Sequence, residues 1–244
     1  MRNLTNTHDS QPALMALWPL PLLAVLLPVA GTVAALQISI HLELVPACNP
    51  LFDGCMSISR AGRYGLANIV FRAALLPAAA LQALTWILCS RWLASLSLAS
   101  KRLPVQRIGL TTLGVTACCF LVLYGSFLGT ENPAYRWLRQ YGTIVYFGFS
   151  YLCMLLVIRQ LRQLANTATR IPRWTIPLMI ALCATVLALG LMNTLVAQWF
   201  NTELKDRIEN VTEWWAAIAF GLVFVVLANV WRRLNVCFRI TSAD

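Results

Sequence analysis

Trp174-Thr-Ile-Pro-Leu-Met-Ile-Ala-Leu-Cys-Ala-Thr-Val-Leu-Ala-Leu-Gly-Leu-Met-Asn-Thr-Leu-Val-Ala197 carries no charge and exceeds the about 20 helical residues that cross a bilayer. Comparable apolar stretches run near 15–37, 66–90, 108–128, 142–158 and 212–231, giving six candidate spans in 244 residues. Hydrocarbon supplies no partner for backbone N–H and C=O groups, so each stretch is expected to be a helix; a membrane barrel would show alternating segments of about 10 residues. Composition agrees, since 59% of residues are apolar and 11% charged, against roughly 25% charged in a soluble domain. The expectation is an all-α polytopic membrane protein, a single transmembrane domain over residues 1–244. Pro19, Pro21 and Pro28 within the first run suit an uncleaved, kinked helix better than a signal peptide.

Charge then orients the bundle. Arg2, Arg91, Lys101, Arg102, Arg107, Arg159, Arg162, Arg170, Arg173, Arg232, Arg233 and Arg239 fall between or outside spans on one side, with only Asp9 and Asp244 against them. Seven acids, Glu43, Asp53, Glu131, Glu203, Asp206, Glu209 and Glu213, fall on the other. Basic residues accumulate in cytoplasmic loops, so both termini are expected in the cytoplasm, with the 38–65 loop on the exterior or periplasmic side of a cell (inner) membrane. The net charge of +10 is thereby explained by topogenesis and anionic head groups; membrane lipids, not nucleic acid, are the expected partners.

The 38–65 loop concentrates the polar chemistry. Ile38-Ser39-Ile40-His41-Leu42-Glu43-Leu44 alternates apolar with polar, which fits a half-buried strand or the end of the first helix. Cys48 and Cys55 flank the turn dipeptides Asn49-Pro50 and Asp53-Gly54, and on an oxidising side a disulfide is favoured over free thiols. No metal site is expected, because a structural zinc takes four Cys or His ligands and only His41 is near. Ser57-Ile-Ser59-Arg60-Ala-Gly62-Arg63 leads into the second span. Its serines can cap a helix whose amides face an anion, and Arg60 and Arg63 add charge suited to a phosphate. The plainer reading is that these arginines touch lipid phosphates at the membrane edge, as arginines commonly do.

Deeper polar residues are costlier and so more informative. Asn68 and Arg72 share one face of the second span, with Arg72 about 9 Å below Leu66. A charge at that depth calls for a partner, and Glu131 or Glu213 sits at the matching level, where Tyr124 and Asn193 complete a candidate ligand-binding cluster. An ion pair that merely locks helices together is the alternative.

The Ser57-Ile58-Ser59-Arg60-Ala61-Gly62 stretch, together with Glu209-Asn-Val-Thr-Glu213-Trp214 at the start of the last span, resembles the Frag1/DRAM/Sfk1 family of six-span membrane proteins. The resemblance carries over to Ser57, Ser59, Gly62, Glu213 and Trp214, and departs at Arg60, where other members often carry an acidic or small residue. It implies an association with membrane lipids; one branch remodels the lipid of GPI anchors and another acts in lysosomal membranes and autophagy.

Two function classes follow. The first binds or handles lipid at the exterior leaflet without catalysis. The second modifies lipid by acyl transfer or hydrolysis, with His41 as base and Ser57 or Ser59 as nucleophile, although no nucleophile-elbow glycine pattern accompanies them. A channel lacks support because no span carries a repeated polar stripe, and no cofactor is expected because neither a Walker loop nor a dinucleotide fingerprint occurs. Small residues such as Gly109 and Gly114 permit close helix contacts within the chain or between copies.

Overall fold

Pro19 opens the first helix, where its missing N–H is no loss. The computed structural model describes residues 13–96, 104–130, 132–164, 171–199 and 202–240. Helix α1 (Pro19–His41) is followed by a short α2 (Ile58–Ala61) and then by α3 (Gly65–Leu96), α4 (Pro104–Phe127), α5 (Pro133–Leu164), α6 (Thr175–Trp199) and α7 (Thr202–Arg233). Six of these are long and apolar enough to cross a membrane. The Ile38–Leu44 alternation is the end of α1 rather than a strand, because Ser39 is buried there and donates to the Ala61 carbonyl at 2.7 Å.

Several helices outrun their apolar stretches. Asn132 accepts from the Ala134 N–H at 2.9 Å and, with Pro133, starts α5 well before Gly142. The first turns of α7 are polar and held by an i,i+4 pair, Lys205 to Glu209 at 3.8 Å.

Around the bundle, α1 packs on α3, α3 on α4, α4 on α5, α7 on α1 and α6 on α7; the seam between α5 and α6 is the thinnest of these. The core is aromatic where α3 meets α7, with Trp86 edge-on to Phe224 at 5.2 Å and Trp92 to Trp231 at 6.1 Å. A buried polar relay joins three helices: Tyr146 donates to the Gln82 amide oxygen at 2.8 Å, and Gln82 donates to the Ala24 carbonyl at 3.2 Å. Polar side chains inside membrane bundles find partners in this way because hydrocarbon offers none.

Gly114 lets α4 lie directly on Trp86, since a Cβ there would come within 2.5 Å of the indole's Cβ and Cγ. Gly114→Val is expected to lower stability by about 2 kcal/mol through overpacking. Gly109→Val, on the same helix but with nothing within 4 Å of its Cβ, is the control. Thermal unfolding in mild detergent checks this; equal midpoints for both variants would refute it.

At one end the chain closes on itself. Strands β1 (Ala13–Ala16) and β2 (Cys237–Ile240) pair antiparallel, Ala13 opposite Ile240 and Ala16 opposite Cys237. This two-stranded ribbon lies outside the all-helical expectation and takes Met15 out of the first span. The bundle thus has a termini end, carrying the ribbon, and a loop end, carrying the segment between α1 and α3.

Candidate functional site at the loop end

Cys48 and Cys55 form a disulfide with Cα atoms 6.6 Å apart. Inside it Asn49 caps its own turn, accepting from the Leu51 N–H at 3.1 Å, while Asp53 accepts from the Asn49 N–H at 2.8 Å. Gly54 adopts φ +62°, and a Cβ there would strike the Arg207 backbone.

The closed loop is fastened to α7 through its backbone carbonyls. Trp215 donates to Leu51 at 3.1 Å, Arg207 to Asp53 at 3.2 Å, Asn210 to Gly54 at 2.9 Å and Trp214 to Met56 at 3.0 Å. Met56 and Ala61 are wholly buried beneath, packed with Leu36, Val45 and Trp214 in a small core separate from the main one.

Beside this cap the polar residues meet. Ser57 is the N-cap of α2, its Oγ accepting from the Arg60 N–H at 3.2 Å. The hydroxyls of Ser57 and Ser59 are 3.1 Å apart, and Arg63 Nη2 donates to Ser59 Oγ at 3.5 Å. The Glu213 carboxylate faces the backbone N–H groups of Ile58 and Ser59, at the start of α2, and Arg63. The amides that the sequence offered to an outside anion therefore receive the chain's own carboxylate. The half-buried Tyr124 lies among Glu213, Arg63 and Arg139.

Arg139 is the member that sequence reading missed. It sits about 9 Å into α5, where Nη1 donates to the carbonyls of Phe127, at 3.2 Å, and Thr130, so it caps the C-terminus of α4. Its charge and that of Arg63 repel across the cluster. The signal was the Asn132-Pro133 helix start, which carries α5 past its apolar stretch and draws Arg139 into the bundle. Asn68 completes the floor by donating to Gly62 at 3.0 Å and Leu128 at 3.2 Å, while Gly129, at φ +88°, leaves room against Asn68 and the Arg63 carbonyl.

Other candidates stand apart. Arg72 is half-buried and, among the described residues, has no ion pair; the expected bond to Glu213 is replaced by Glu213 on the α2 amides, and Glu131 lies outside the described residues. Asn193 accepts from Thr212 on α7 instead of joining Arg72. Arg60 is exposed on α2. His41 is exposed at the end of α1 and, among the described residues, bonds to neither serine, whose hydroxyls are engaged with each other, with Arg63 and with backbone. The geometry therefore gathers Glu213, Arg63 and Arg139 around the two serines and leaves His41 outside the cluster. Among the described residues no group of three or more His, Cys, Asp or Glu could hold a metal ion.

Six membrane-crossing helices with a cap fastened to the last of them define a polytopic membrane protein. The family model described as the Frag1/DRAM/Sfk1/Cwh43P N-terminal domain matches residues 16–229, and the chain belongs to this family. Comparison with curated proteins and with solved structures gives no match.

Proposed function

We propose that the protein holds the phosphate of a membrane lipid at the loop end of the bundle, between Arg63 and Arg139, and handles that lipid without chemical change. One observation carries the reading: Arg63 Nε is buried with no hydrogen-bond partner among the described residues. Buried donors are ordinarily satisfied, and a phosphate oxygen is the acceptor that suits a guanidinium. Charge supports it too. Arg63 and Arg139 bring two cations to a cluster whose described acid is Glu213, already turned to the α2 amides, so one positive charge is left for an anionic group. The Ser59 hydroxyl, beside Arg63, offers a further donor. The asymmetry of basic residues supports placing this end, and the 38–65 segment with it, on the exterior side of the membrane.

Native mass spectrometry of protein released from phosphatidylcholine nanodiscs tests the site. Wild type is expected to retain phospholipid, and Arg63→Gln with Arg139→Gln to retain about tenfold less, the effect of losing charge-assisted hydrogen bonds. Unchanged retention in a double variant that still runs as a folded species would overturn the proposal.

A further inference from the structure

The second feature lies at the opposite end of the bundle, in the seam where α5 and α6 pack least. A groove of about 500 Å³ opens there between the two helices. Its walls are Leu155 and Ile158 from α5 and Ile180 and Leu187 from α6, and its mouth carries Arg159 and Arg162. Tyr151 donates to the Cys183 carbonyl at 3.3 Å and stitches the helices together toward the deep end. From Tyr151 to Arg162 the groove follows α5 for about 16 Å, close to one leaflet's half of the about 30 Å hydrocarbon core.

We propose that this groove is a binding site for one anionic glycerophospholipid, with an acyl chain between α5 and α6 and the head group on Arg159 and Arg162. Charge complementarity selects the occupant. No acid lines the groove, and both arginines are exposed without an ion pair or hydrogen bond among the described residues. Two other cations at this end point elsewhere: Arg232 lies over the Trp18 ring and Arg233 over the Trp174 ring, each at 5.6 Å to the centroid, and Arg233 also donates to Asn229. Packing favours the same occupant. Apolar side chains facing a gap lose the dispersion contacts that hold membrane helices together, and an acyl chain restores them. The site is separate from the loop-end cluster, so the two readings stand or fall independently.

Nanodiscs of phosphatidylcholine with a minority of phosphatidylglycerol, read by native mass spectrometry, test it. Wild type is expected to leave with phosphatidylglycerol enriched over its share in the bilayer. Arg159→Gln with Arg162→Gln should reduce that enrichment about thirtyfold, the effect of two basic side chains near a lipid surface. Ala184→Phe, which fills the groove and leaves both arginines in place, should reduce it as well. The same loss on adding Arg159→Gln with Arg162→Gln is expected in the Arg63→Gln, Arg139→Gln background, where the loop-end cluster contributes no phosphatidylglycerol. Wild-type protein that retains the two lipids only in their bulk ratio, or arginine and groove-filling variants that retain as much phosphatidylglycerol as wild type, would overturn the proposal.

Discussion

Glu213→Ala is expected to lower the stability of the protein by about 3 kcal/mol, the upper end of what losing a charged acceptor in a half-buried cluster costs. The loss has two sources. The backbone N–H groups of Ile58 and Ser59 lose the carboxylate they face, and Arg63, already repelled by Arg139, loses the opposite charge beside it. Glu213→Gln keeps an acceptor oxygen for the amides and removes only the charge, so its loss should be smaller. Thermal unfolding in mild detergent ranks the variants, and hydrogen exchange at Ile58 and Ser59 gives a local readout: faster in the alanine protein, nearly unchanged in the glutamine protein. Equal unfolding midpoints for wild type and Glu213→Ala would sink the assignment of Glu213 as the residue that secures α2.

Trp214→Ala should cost more, about 4 kcal/mol, because a buried aromatic leaves both a cavity and an unfilled bond. The indole is 8% exposed and packs over Met56 and Ala61, while its N–H is bound to the Met56 carbonyl. Trp214→Phe restores most of the volume without the donor and should recover more than half of the loss. The cap, rather than the bundle, is expected to loosen, so limited proteolysis between residues 42 and 64 should accelerate while the helices stay protected. Cleavage that accelerates equally in α3 and α7 would argue against a local role.

Much of this was readable from the chain, and what was not has definite physical causes. The six spans follow from the length of apolar runs, because hydrocarbon demands helices wherever such a run occurs. The Cys48 to Cys55 pairing, favoured over free thiols by the turn dipeptides between them and by an expected oxidising side, is formed. Apolarity, however, marks where a helix crosses a bilayer and not how it is rotated or where it ends. Arg72 therefore promises an acid partner and has no ion pair among the described residues, and Arg139, outside the apolar stretch near 142–158, lies in α5, which begins at Pro133. The polar first turns of α7 hid in the same way, although Arg207 and Asn210 on them fasten the cap. The family motif pointed at Ser59 and Glu213 but not at their relation, since a carboxylate seated on backbone amides leaves no mark on side-chain spacing. The β1–β2 ribbon escaped because strands of four residues carry too few alternations to register.

That ribbon has a mechanical consequence. Because Ala13 faces Ile240 and Ala16 faces Cys237, the two chain ends leave from the same edge of the ladder, and tension applied to them peels the pairs apart one after another instead of shearing all of them at once. Peeling yields at low force. The ribbon would open before any load reached α1 or α7, a mechanical fuse between whatever pulls on the termini and the six helices in the membrane.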